Sequence, residues 1–199
     1  MDTTQDPRPL YLLALDQLEK LLAEVGPEDL DRPTPCAEYD LRALLGHVVG
    51  GIHRFAYTGE GGLSLDVAAA TGGVPDDGWP AALGRARARV TAAWAEDAKL
   101  DRPTSVPWGE VSGRDAVGGY LLETVIHSWD IARALGTDRP LDERLGETAL
   151  AIARVALPAE RRGGGVPFAP VQPAPDDADV YTRLAAHSGR AVRGLPAGN

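Results

Sequence analysis

Apolar side chains recur in Leu10, Leu12, Leu13, Leu15, Leu18, Leu21, Leu22 and Val25 at three- and four-residue steps. That spacing predicts an amphipathic helix over 9–25, stopped by Gly26-Pro27. The prolines of Arg32-Pro33-Thr34-Pro35 bar helix there. Asp40 then stands at an N-cap position ahead of Leu41, Leu44, Leu45, Val48, Val49, Ile52, Phe55 and Ala56, which predict a second helix. Residues 58–79 are Gly-rich and carry Pro75-Asp76-Asp77-Gly78, so they read as a long connection with one helical turn over 65–70. Leu83, Val90 and Trp94 predict a third helix over 80–97.

Residues 104–111, punctuated by proline and rich in β-branched side chains, read as an extended segment. Ser112-Gly113-Arg114-Asp115 matches a capping box and opens a fourth helix ending at Gly136. A fifth runs from Asp142 to about Leu157, closed by Arg161-Arg162-Gly163-Gly164-Gly165. After a loop with Phe168, Pro170, Pro173 and Pro175, a short last helix is expected over 177–188, with Gly189 behind it. Long helices with little strand signal point to an all-α bundle with one long connection, in a single domain over 1–199.

Composition narrows the function classes. A chain of 199 residues with 44% hydrophobic positions can bury a core without covalent staples. A net charge of -9 argues against a nucleic-acid partner, which requires clustered Lys and Arg to displace counterions. Cys36 is the one cysteine, so no intrachain disulfide is possible. The acidic N-terminus lacks the basic and apolar regions of a signal peptide, and no apolar run approaches the ~18 residues of a membrane span. A cytoplasmic protein without a membrane partner is expected.

The fourth helix carries the candidate chemistry. It is apolar nearly all round, as a central helix should be. At about 100° per residue, Glu123, His127 and Asp130 fall within about 60° of one another. Burying a carboxylate beside an imidazole costs several kcal/mol unless a partner, water or a cation compensates. Glu123 and His127 lie one turn apart, close enough to hold one metal ion; the same spacing also suits a simple i,i+4 ion pair. On the second helix, His47 falls off the apolar arc beside Gly50, Gly51 and Arg54, while His53 falls on the opposite flank. Helix geometry does not choose between them as a third ligand.

Two runs carry a family likeness. Thr34-Pro35-Cys36-Ala37-Glu38-Tyr39-Asp40-Leu41-Arg42-Ala43-Leu44-Leu45-Gly46-His47-Val48-Val49-Gly50-Gly51 and Glu123-Thr124-Val125-Ile126-His127-Ser128-Trp129-Asp130-Ile131-Ala132-Arg133-Ala134 closely resemble the DinB-like metal-binding family related to the N-terminal domain of mycothiol-dependent maleylpyruvate isomerase. The segment from Phe168 to Gly189 also looks like the tail of its short members. The resemblance implies a four-helix bundle with a long crossover and additional C-terminal helices. It implies a divalent metal held by His47, Glu123 and His127, zinc first, with nickel, iron and manganese accepting the same donors.

It further implies a low-molecular-weight thiol such as mycothiol and an electrophilic substrate, joined by a thiol S-transferase or an isomerase. The two-domain isomerase has a further C-terminal domain for which 199 residues leave no room, so maleylpyruvate isomerisation itself is not the expected reaction. The alternative is a non-catalytic protein whose metal is structural or sensory, and a homodimer is compatible with either. Asp130 has two readings: it orients a ligand, or it pairs with Arg133 or Arg54. Arg42 and Arg54 are candidates for a substrate carboxylate. Cys36 is expected to pack as a small hydrophobe, with a place near the site as the other reading. Trp79, Trp94, Trp108 and Trp129 are expected in core or interface.

Overall fold

Asp40 accepts a hydrogen bond from the Ala43 amide at 2.8 Å and starts the second helix where the sequence places it. In the computed structural model, which describes residues 6–160, 162 and 168–192, six helices and one hairpin follow in order. They are α1 (Arg8–Leu22), α2 (Leu41–Gly59), α3 (Trp79–Ala93), β1 (Pro103–Val106), β2 (Gly109–Ser112), α4 (Gly113–Leu135), α5 (Glu143–Ala156) and α6 (Val180–His187). The four longer-range partners α1, α2, α3 and α4 form the bundle, with α1 and α2 each packed on both α3 and α4. Helices α5 and α6 pair with each other and cover α4. This is an all-α, DinB-like bundle.

The local signals act as capping chemistry requires. Ser112 Oγ accepts from the Asp115 amide at 3.1 Å, Asp142 accepts from the Arg144 amide at 3.0 Å, and Gly136 closes α4 at φ 65°. Burial supplies the bulk of the stability. Leu15, Leu18, Leu44, Leu45, Phe55, Leu83, Leu121 and Ile126 are fully buried, each contributing ~1.5–3 kcal/mol relative to exposure. Phe55 is the centre of an aromatic stack, 4.1 Å from Tyr120 and 4.6 Å from Trp94 between ring centroids.

Several boundaries differ from the periodicity. Helix α1 ends at Leu22 rather than Val25, because the Glu24 and Val25 amides turn back to the Leu21 and Leu22 carbonyls and a 3-10 turn follows at Pro27–Asp29. Helix α3 stops at Ala93, short of the expected 97. There Lys99 Nζ takes the Ala93 carbonyl at 2.7 Å and Arg8 Nη1 takes the Trp94 carbonyl at 3.1 Å, so cationic side chains replace the missing turn. The extended segment over 104–111 is a hairpin whose register pairs Pro103 with Ser112 and Val106 with Gly109, leaving Pro107-Trp108 at its tip. The helical turn expected over 65–70 is a 3-10 turn at Ser64–Asp66. Of the expected stop at Arg161-Arg162-Gly163-Gly164-Gly165, only Arg162 lies within the described residues.

The connection between α2 and α3 lies on α2 itself. The Thr71 amide donates to the Gly46 carbonyl at 2.9 Å, and a Cβ on Gly50 would fall 2.6 Å from Ala70 Cα. Glycine at 50 therefore lets backbone lie against helix, which brings Ala69 to the rim of the cavity described next.

Candidate metal centre

His47 on α2 and Glu123 and His127 on α4 meet where the two helices cross. Their ligating atoms all lie within 4.8 Å of one another. His127 Nε2 is 3.5 Å and His47 Nε2 is 3.8 Å from the same oxygen, Glu123 Oε2. The imidazoles stand edge to face with centroids 5.1 Å apart, and Tyr39 stacks on the outer face of His47 at 5.3 Å. His53, the rival third ligand, is outside the cluster, and burial, with the charges of Arg89 and Arg85, pushes its pKa down. Of the two histidines of α2, the structure brings His47 into the cluster and leaves His53 outside it.

A buried carboxylate lies behind the cluster. His127 Nδ1 lies 2.9 Å from Asp130 Oδ2, and Asp130 is fully buried. With the proton on Nδ1, donated to Asp130, the Nε2 lone pair is left for a cation. Two nitrogens and one carboxylate oxygen then lie within 4.8 Å of one another, which is the donor set of an open zinc-type site. The residues present fit a divalent metal.

Asp130 does not pair with Arg133 or Arg54, the partners weighed from sequence. Arg190, beyond α6, donates Nη2 to Asp130 Oδ2 at 2.9 Å and Nε to Oδ1 at 3.3 Å. Arg54 spends its Nε and Nη2 on the Val67 carbonyl, at 3.1 and 2.6 Å. No periodicity signals Arg190; its position three residues after the end of α6 marks only a turn.

The charges of the cluster are set by competition. Burial acts to raise the Glu123 pKa, but the two imidazoles outweigh it and hold the carboxyl well below the usual range. Burial likewise acts to raise Asp130, and His127 and Arg190 pull it down. Burial acts to lower His127, and Asp130 and Glu123 raise it above its ordinary value. Burial pushes the Cys36 thiol up, opposed by the Arg190 guanidinium. Cys36 is half-buried near the cluster, and its sulfur is not among the gathered donor atoms.

His47, Glu123 and His127 open on a cavity of about 230 Å³. Val48, Ile52, Pro107, Trp108 and Tyr120 form its apolar walls, and Arg54 and Thr124 its polar points. Trp79, Trp94 and Trp129 are buried as expected, whereas Trp108 is 51% exposed at the hairpin tip and lines this cavity. Arg42 lies away from it, paired with Asp76. A larger cavity of about 310 Å³ lies between α1 and α3, where the charged groups Asp6 and Arg8 satisfy each other.

An all-α bundle with a His/Glu/His cluster between its second and fourth helices defines the class as DinB-like. The chain belongs to the mycothiol maleylpyruvate isomerase N-terminal domain family, whose model matches residues 11–132. It is 32% identical over 188 residues to the uncharacterized proteins MT0763 and Rv0738 of two Mycobacterium tuberculosis strains, CDC 1551 / Oshkosh and ATCC 25618 / H37Rv. Each alignment covers 94% of this chain and 100% of the relative. No solved structure matches the chain significantly. Among the described residues, no helix is long and apolar enough to cross a membrane.

Proposed function

We propose that this protein is a divalent-metal-dependent thiol enzyme, an S-transferase or isomerase that joins a low-molecular-weight thiol such as mycothiol to an electrophilic substrate. The convergence of His47, Glu123 and His127 on one wall of a cavity carries the reading. Membership of a mycothiol-related family supports the choice of thiol. The three residues hold the ion, zinc first, with nickel, iron and manganese accepting the same donors. When bound, a divalent ion makes a thiol ionise near neutral pH.

The remaining work falls to the chain's own side chains. Asp130 holds His127 by Nδ1 and keeps Nε2 turned to the cavity. Val48, Ile52, Pro107 and Trp108 take the apolar part of a substrate and exclude water around it. Arg54 stands at the wall as the positive charge for an anionic group on the electrophile. Cys36 need not supply the nucleophile, because the thiol arrives as substrate. An anaerobic assay with mycothiol and a panel of electrophiles tests the reading. Thiol addition should vanish with chelator and in His127→Ala; addition indifferent to both would overturn it.

A further inference from the structure

The family match ends at Ala132, yet a buried charge contact at the site comes from beyond α6. Helix α6 closes on a Schellman motif: the Gly189 amide donates to the Ala186 carbonyl at 3.1 Å and the Arg190 amide to the Ala185 carbonyl at 2.9 Å. Gly189 has φ 88°, and a Cβ there would fall 2.6 Å from the Ala169 carbonyl oxygen, so both the turn and its neighbour require glycine. The turn sends Arg190 inward, where it is 8% exposed.

Its guanidinium is used on three sides. Nε and Nη2 grip the two oxygens of Asp130, and Nη1 donates to the Ser188 carbonyl at 3.2 Å. A bidentate fork fixes the plane of a carboxylate as well as its position. Asp130 is fully buried and turns its shared oxygen, Oδ2, to His127 Nδ1. A buried ion pair adds little net stability over apolar packing, so its location directly behind a candidate ligand points to orientation as its role.

We propose that Arg190 is a positioning residue for the metal site, acting through Asp130 on His127, and that the C-terminal turn is therefore part of the site. This rests on the reading of His47, Glu123 and His127 as ligands. Arg190 touches neither ion nor substrate; it sets the angle at which the His127 ring is presented.

The test uses the full chain, with zinc affinity by competition against a chelator dye and the visible spectrum of the cobalt-substituted protein. Loss of an outer partner of a ligand costs about 10–100-fold in metal affinity, and Arg190→Ala should fall in that range with an altered cobalt spectrum. Arg190→Lys restores charge without the fork and should recover only part of the affinity. It also serves if Arg190→Ala does not fold. Circular dichroism of the metal-free variants separates a ligand effect from global unfolding. Wild-type affinity and an unchanged cobalt spectrum in a folded Arg190→Ala, or in Arg190→Lys when the alanine variant does not fold, would overturn this inference alone. A wild-type chain that binds neither ion would overturn the functional reading, and the inference with it.

Discussion

His47 Nε2 stands 3.8 Å from Glu123 Oε2, bringing α2 and α4 together on the wall of a cavity. That gap is too long for a hydrogen bond and short enough for one ion to bridge. Elemental analysis of protein prepared without a histidine tag should find about one divalent ion per chain, as a single three-ligand site requires. His47→Ala should lose it, whereas His53→Ala should keep it, since His53 is outside the cluster. Equal metal content in the two variants would count against the cluster.

Chelation should abolish thiol transfer and leave the helices in place. The bundle is held by a core of buried leucines, with Phe55 stacked on Tyr120 and Trp94, and none of these contacts passes through the cluster. Far-ultraviolet circular dichroism should therefore stay helical on metal removal, while metal excess raises the melting temperature through binding linkage. Collapse of the spectrum on chelation would favour a structural metal.

Asp130→Asn breaks a buried pair and strands Arg190, which should cost ~3–5 kcal/mol at neutral pH. The folded-state pKa of Asp130 is depressed: burial opposes the charge, and His127 and Arg190 prevail. Its stabilising contribution is then complete above the ordinary carboxylate pKa of about 4 and is lost as pH falls through the lower folded-state value. In metal-free protein, denaturant titration should show the gap between wild type and variant narrowing below about pH 4. A gap that widens on acidification would contradict this assignment.

Trp108 is seated by a glycine. A Cβ on Gly119 would lie 2.4 Å from the far edge of the indole, so Gly119→Ala should displace the half-exposed ring. Alanine regains about 0.5–1 kcal/mol of helix propensity in α4, which offsets part of the lost packing. The expected outcome is a red-shifted Trp108 emission, measured as a difference against Trp108→Phe, with little change in melting temperature and weaker substrate binding. Unchanged emission would show that the ring tolerates the methyl group where it stands.

The features legible in the sequence were local ones. Asp40, Ser112, Asp142 and Gly136 mark helix ends because caps satisfy backbone groups within a few residues. Glu123 and His127 are legible as a pair because one helical turn sets them on one face. The early end of α3 was not, since it depends on Arg8 and Lys99 reaching its carbonyls from other segments. The exposed Trp108 was not, since its place follows from the tip of a hairpin.

By itself, then, the amino-acid pattern determined an all-α bundle, the capped starts of its second, fourth and fifth helices, and the pairing of Glu123 with His127 on one face of the fourth helix, because each depends on spacing along one element. Which histidine of α2 completes the cluster, and that Arg190 holds Asp130, were decided only by tertiary structure. Both depend on how helices roll against one another and where a chain returns after 60 residues. Those outcomes follow from packing the whole core, to which hydrophobic burial contributes without direction and no short window of sequence has access.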